Sequence, residues 1–528
     1  MSQRNAFHSL PFLFFPLALT LASSLAGQKE LQLIRVQDQV NFGDFGSSVA
    51  VSGNLLAVGA RDEKITANYM GAVYLFRKRA NAWIREAKLT APVPAVHDRF
   101  GSSVALSRDL LVVGAPAYIS RTTGGKIHIF RKKAGKWVHE AEFARGRWFG
   151  ASVAISGKRV IAGAPGTRHS KVNWGGNNYA GAAWIFRYNG SSWVEEAKLL
   201  AGDPSYGDHF GSAVAIQGNS LLVGASGEGD DSLRKFGIGS VYAFDWNGQT
   251  WAQSQKFRAL KAADQSFFGA TISWDGSDAL IGSPGKKANG VWGAGAAYLF
   301  HKASAGWTET NKFTSPWPST SAGFGSRLAL SGGLAVIGHN GRDAEGNQRG
   351  AIHVWRRTAP NKWTPEPAFQ GSGLVGKYSG FGTSLALDGT TLAAGGFIDD
   401  NKKISHGAVW LFDLSPDFHL MVLPLPIVTK DTAKFEVRYA PKNSLALLMF
   451  GFTGLSKFPL PWPGAILRLQ NPMIIGALPT GTKGFATWEF NIPAAALGVK
   501  LWTQALELES IKRARTSNVI YSKIRAPF

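Results

Sequence analysis

The sequence predicts an all-β protein: a seven-bladed β-propeller closed by its N-terminal strand, plus a small C-terminal β-sandwich. Three observations carry that expectation. Seven Phe-Gly pairs recur in phase; each of the seven is followed at an unvarying distance by a Gly that ends an apolar segment; and a spare strand before the first copy answers a missing one after the last. Periods of this size mark arrays of one supersecondary unit, each unable to bury its own faces.

The pairs are Phe45-Gly46, Phe100-Gly101, Phe149-Gly150, Phe210-Gly211, Phe268-Gly269, Phe324-Gly325 and Phe381-Gly382, with the Phe residues 55, 49, 61, 58, 56 and 57 positions apart. Fourteen residues beyond each Phe stands Gly59, Gly114, Gly163, Gly224, Gly282, Gly338 or Gly395. Between the marks the pattern is a hairpin: Ser47-Ser48-Val49-Ala50-Val51, then Ser52-Gly53-Asn54, then Leu55-Leu56-Ala57-Val58, with Gly and Asn supplying the turn. A third strand follows a variable loop, as in Gly71-Ala72-Val73-Tyr74-Leu75-Phe76, and a fourth begins at a Trp: Trp83, Trp137, Trp193, Trp251, Trp307 or Trp363. Four antiparallel strands repeated seven times fit radially packed blades. The seventh copy has no fourth strand after Phe412, whereas Glu30-Leu31-Gln32-Leu33 precedes the first; closure of the last blade by that strand is the expectation.

Phe-Gly-x-Ser-Val-Ala, the Gly-Ala-Pro at Gly114-Ala115-Pro116 and Gly163-Ala164-Pro165, and the later Gly-x-Val-Tyr-x-Phe together resemble the FG-GAP repeat of integrin α-subunit propellers and their bacterial secreted relatives. The resemblance spans about Gln28 to Leu414 and implies a seven-bladed propeller used for adhesion or recognition. Calcium-binding members of that family carry several carboxylates in the first hairpin turn, as a hard cation requires. Here those turns hold at most one, such as Asp109, Asp275 or Asp388, so no metal and no cofactor is expected there. The acidic stretch Glu228-Gly229-Asp230-Asp231 is the remaining metal candidate and reads as a solvated loop.

Composition bounds the function. Without Cys there is no disulfide framework, thiolate metal site or cysteine nucleophile. Residues 1–26 read as a signal peptide, with Arg4, an apolar run from Leu10 to Leu21 and a small-residue exit at Ser24-Leu25-Ala26, which predicts a secreted or cell-surface protein without a membrane span. The propeller is then 27–415. After the Pro-rich joints at Ser415-Pro416 and Leu423-Pro424, residues 416–528 form the second domain, in which 13 Lys+Arg against 6 Asp+Glu leave +7 of the formal +22.

Strand direction puts the long loops on one face, where binding residues concentrate. That face is basic and aromatic, and its densest group is Arg145, Arg147, Trp148, Arg168, His169 and Trp174. Guanidinium groups attract carboxylate or sulfate and flat rings stack on sugars, so the expectation is a monomeric, non-catalytic binding or adhesion module for an anionic polysaccharide, cell surface or extracellular protein. Nucleic acid is excluded as the physiological partner by export. The alternative is an extracellular propeller enzyme acting on acidic polysaccharide. The catalytic signals are weak: Gly371 to Tyr378 lacks the Ser or Thr of a phosphate loop, and the His97 and His209 segments share a repeat slot before a Phe-Gly pair.

Overall fold

The computed structural model describes residues 29–35, 44–66, 69–80, 82–118, 124–172, 178–229, 237–261, 265–339, 341, 349–374, 380–399 and 405–415, and the strands of the C-terminal segment. The described residues are all-β, without a helix. Seven four-stranded antiparallel sheets follow one another, and their strands run in sequence order in blades 1 to 6. Blade 3 shows the pattern: Ser152–Ser156, Arg159–Ala164, Ala182–Tyr188 and Trp193–Leu199. Its first pair runs in register from Ser152↔Gly163 to Ser156↔Arg159, around a turn in which Gly157 takes φ 57°.

Burial explains the residue types. The second strand is sandwiched on both faces, so Leu110–Ala115 and Leu334–His339 are buried at every position and read as continuous apolar runs. The outermost strand is buried only in part, as in Trp251–Phe257, where Trp251 and Phe257 are buried and the residues between them are exposed or half-buried.

Blade 7 is built from Gly380–Asp388, Thr391–Asp399 and Ser405–Asp413, with β1 (Lys29–Ile34) as its outer strand. β1 pairs antiparallel from Lys29↔Asp413 to Ile34↔Val409. It also reaches blade 1: the Trp83 N–H donates to Gln32 Oε1 at 2.7 Å and Gln32 Nε2 donates to the Trp83 carbonyl at 3.2 Å. Gln255 makes the same exchange with Trp307 at 2.7 and 3.1 Å between blades 4 and 5.

The recurring marks sit at the blade junctions. All seven Phe side chains are buried, each set edge-on to the third-strand ring of its own blade, from Phe45–Tyr74 at 5.4 Å between centroids to Phe381–Trp410 at 5.1 Å. The Gly at the end of each second strand faces the next blade's Phe-Gly backbone; a Cβ on Gly163 would lie 2.0 Å from the Gly211 carbonyl oxygen. Hydroxyls stitch the same seam: Ser48 donates to the Gly101 carbonyl (2.8 Å), Ser103 to Gly150 (2.7 Å), Ser152 to Gly211 (2.9 Å), Ser212 to Gly269 (3.3 Å), Thr271 to Gly325 (2.7 Å) and Ser384 to Gly46 (2.7 Å). At the remaining junction, blade 6 to blade 7, Arg327 Nε donates to the Thr383 carbonyl instead.

Blade 6 departs from the pattern again at His339, where the second strands of blades 1 to 4 end in Ala60, Ala115, Ala164 and Ala225. His339 is fully buried, neither ring nitrogen has a partner among the described residues, and burial pushes its pKa down to about 4. The neutral form is therefore bound into the fold. Stability from this group is complete above the unfolded value near 6.5 and is lost as pH falls from 6.5 towards 4. Expected result: in urea titrations, His339→Ala gains on the parent by about 3 kcal/mol between pH 7 and pH 4; a difference that does not change with pH contradicts the assignment.

Beyond residue 415 the strands fall into three sheets, including Thr432–Arg438 between His419–Val422 and Ala486–Asn491, and Lys500–Ser510 beside Leu445–Gly451. The face-to-face packing that would define a sandwich, like the leader at 1–26, lies outside the described residues.

Candidate functional site

The long-loop ends of blades 2 to 4 bring four rings together. The indole of Trp148 lies almost parallel to Tyr179 (5.4 Å between centroids, 15°) and to His209 (6.0 Å, 18°), with Tyr118 tilted at 6.0 Å. The guanidinium of Arg147 covers this group, 5.5 Å from the Trp148 ring and 5.3 Å from Tyr179. Local backbone sets the display: Trp148, Tyr179 and His209 all take left-handed φ angles of 61°, 47° and 55°, costly for residues with a Cβ. Trp148 and His209 each precede a Phe-Gly pair, so the buried Phe anchors the turn and the preceding side chain is thrown outward. Gly166 lies beneath the indole, where a Cβ would meet ring carbon at 2.7 Å.

The remaining residues of the expected group are placed differently. Arg145 is paired with Glu195 at 2.5 Å and stacks on Phe143 and Phe186, 5.8 Å from each ring. Arg168 is exposed on the following loop. His169 is buried; its Nδ1 accepts from the Lys171 N–H at 3.1 Å, and Asn178 clamps its backbone through bonds of 2.9 and 2.8 Å. Burial, with Lys171 and Lys198 adding to it, lowers the His169 pKa. Trp174 lies outside the described residues. Arg147 and Trp148 are thus joined by Tyr179, His209 and Tyr118 as a half-buried basic and aromatic unit.

Blade 1 carries a partial copy: Tyr69 stacks on His97 at 5.2 Å, and Arg99 lies 5.6 Å over Tyr69 while its Nε is 3.1 Å from Asp62. Asp62 is pushed up to about 6, first by burial and then by neighbouring Asp44. In the shared slot, Asp98 and Asp208 are both buried. Burial raises Asp208 to about 7, although the Ser205 N–H donates to it at 2.5 Å.

The carboxylates weighed as metal ligands have other duties. Asp275 accepts the Gly332 N–H at 2.7 Å and Asp388 the Gly53 N–H at 2.5 Å, each tying one blade's turn to the next. Glu228 is buried and pairs with Lys256 at 2.8 Å and with Arg258 and Ser240. Asp230 and Asp231 fall outside the described residues, among which no three His, Asp or Glu side chains gather as a ligand set. Much of the positive charge is also internal: burial alone would raise Glu86, but bonds from Lys132, Arg77 and Trp137 hold it at about 2.

The FG-GAP repeat family matches residues 34–76, 83–130, 193–244, 251–300 and 307–355. Four of those segments start at a fourth-strand Trp and end on the third strand of the next blade. No curated protein matches the chain. Similar solved structures include the Pan2 WD40 domain of Neurospora crassa, at 11% identity over 74% of this chain and 96% of that one, with a TM-score of 0.43. Sqt1 from Chaetomium thermophilum is 12% identical over 70% and 81%, TM-score 0.41. The β-propeller domain of the Trilobed protease from Pyrococcus furiosus is 11% identical over 71% and 95%, TM-score 0.42.

Proposed function

Because the chain is an FG-GAP repeat β-propeller protein, we propose that it is a secreted, non-catalytic binding module that holds an anionic extracellular glycan on the long-loop face. The observation that carries this reading is the Trp148–Tyr179–His209 stack covered by Arg147. Flat rings present an apolar surface to the C–H face of a sugar, and the guanidinium meets a carboxylate or sulfate with paired donors. Preorganisation favours affinity, since the stacked rings have already lost rotamer freedom.

Retention of the full chain on a sulfated-polysaccharide resin, with uncharged dextran as control, tests the proposal. Arg147→Ala and Trp148→Ala should each weaken binding about tenfold, near 1.4 kcal/mol, without moving the melting transition by more than a few degrees. Arg145→Ala, removing a charge already paired to Glu195, should change binding less than threefold. Equal losses for Arg145 and Arg147 would mean diffuse electrostatic attraction; turnover of the glycan would replace the binding role with catalysis.

A further inference from the structure

Blade 5 inverts a charge that blades 1 and 4 keep buried. Four residues after the Gly that closes the second strand, blade 1 has Glu63, blade 4 Glu228 and blade 5 Lys286. The backbone there is held alike in all three. The N–H groups of Glu63, Glu228 and Lys286 donate to the carbonyls of Ala60, Ala225 and Ser283 at 3.1, 3.2 and 3.1 Å, and their carbonyls accept from Gly71, Gly239 and Gly295 at 3.0, 2.8 and 2.9 Å. Beside this position a Tyr and a Lys face each other across the third and fourth strands: Tyr74↔Lys88, Tyr242↔Lys256 and Tyr298↔Lys312. In blade 1 the Tyr74 hydroxyl and Lys88 Nζ both donate to Glu63, at 3.1 and 2.9 Å. In blade 4 Tyr242 and Lys256 both donate to Asp203, at 2.8 and 2.5 Å, and Lys256 also donates to Glu228 at 2.8 Å. One carboxylate thus bridges phenol and ammonium in each blade.

Blade 5 keeps the phenol and the ammonium but not the carboxylates. Asp203, seven residues before its Phe-Gly pair, is answered by Lys261; Asp208, two before it, by Ser266; and Glu228 by Lys286. Lys286 exposes only 9% of its surface, and its Nζ uses one of three donors on the Lys261 carbonyl at 2.5 Å. Tyr298 and Ser266 are buried, and neither hydroxyl has a partner among the described residues. No described carboxylate lies within ion-pair distance of Lys286 or Lys312; Glu309 accepts from the Leu260 N–H instead, at 2.8 Å. Lys312 Nζ lies 5.9 Å from the Tyr298 ring centre, much as Lys88 and Lys256 lie 5.1 and 5.2 Å from theirs. Burial pushes the Tyr298 pKa up to about 12, so the phenol keeps its proton and remains a donor. A buried ammonium without a counter-charge and two buried hydroxyls without partners are each costly, and an anion relieves all three at once.

We infer that blade 5 binds a single oxyanion group, a carboxylate, sulfate or phosphate, between Tyr298 and Lys312 where Asp203 stands in blade 4, with Lys286 and Ser266 as further donors. The site shares no residue with the Trp148 stack and does not rest on the glycan reading. Charge-assisted bonds from two ammonium groups supply the attraction, and the hydroxyls fix the orientation.

Titration calorimetry of the full chain with acetate, sulfate and inorganic phosphate, at constant ionic strength in chloride, tests it. One saturable site per chain is expected. Lys286→Glu places in blade 5 the residue with which blade 1 satisfies its own phenol and lysine, so binding should be abolished while the melting transition is no lower than the parent's. Lys286→Met removes the ammonium alone and should weaken binding about tenfold; Tyr298→Phe removes one neutral donor and should weaken it about threefold. No saturable site for any of the three anions, or the parent's affinity in both Lys286→Glu and Lys286→Met, overturns the inference. Retention of Lys286→Glu on the polysaccharide resin identifies the source of the group: unchanged retention assigns the site to a free anion, and weakened retention to an acidic group of the glycan.

Discussion

Deleting residues 29–35 is expected to abolish the cooperative fold of the propeller. The segment covers the exposed edge of the third strand of blade 7 through the Lys29↔Asp413 to Ile34↔Val409 register. Ile34 is part of the core between blades 7 and 1, with Leu31 packed against it, and Leu33 packs against the core between blades 6 and 7. Burying Ile34 is worth about 1.5 to 3 kcal/mol, and the partly buried Leu31 and Leu33 about half that each. Glu30 accepts from the Ser372 N–H at 2.8 Å and its hydroxyl at 2.5 Å, and Gln32 holds Trp83. The sum reaches the 5 to 15 kcal/mol that is the whole net stability of an ordinary domain. The truncated chain should be insoluble or lack a cooperative melt, and a synthetic peptide of residues 28–36 should restore one in trans. A truncated chain that melts like the parent would show that the ring does not rely on this strand.

The second large effect is expected at Gly163. A Cβ there would sit 2.0 Å from the Gly211 carbonyl oxygen and 2.4 Å from the Ser152 hydroxyl, the pair that joins blade 3 to blade 4. Backbone on one side leaves nothing flexible to yield, so Gly163→Ala should cost about 3 to 5 kcal/mol. Gly338 holds the equivalent position in blade 6, yet its Cβ would meet the Gly382 oxygen at 2.9 Å. Gly338→Ala should therefore cost about 1 kcal/mol. Equal losses at the two positions, measured by denaturant titration, would contradict the account of the blade seam.

The contrast explains what the sequence made legible. Phe149 and Gly163 recur in phase because each fills a site where one residue type alone fits: a buried ring beside Trp184, and a contact too close for a Cβ. The Ser after Phe-Gly was visible as part of the pattern, but its bond to a carbonyl 47 to 59 residues ahead in the first three blades was not. The binding group was half legible. Arg147 and Trp148 are adjacent in the chain, whereas Tyr118, Tyr179 and His209 reach them from about 30 to 60 residues away through blade geometry. Arg145 belongs to the same basic run and differs only because Glu195, 50 residues on, takes its charge. Nothing in a count of Lys and Arg distinguishes a paired guanidinium from a free one. Arg327 likewise reads as one more basic residue until the ring shows what the other blades place there.

The central claim is that one face of the propeller, at the Trp148 stack, receives the anionic glycan. Amide hydrogen exchange of the full chain with and without a sulfated oligosaccharide tests it most directly. The account predicts new protection confined to residues 145–149, 166–170, 178–181 and 206–210, lost in Trp148→Ala. Protection centred instead on the short turns of the opposite face, around Gly53, Gly157 and Gly276, or unchanged exchange at saturating oligosaccharide, would contradict it.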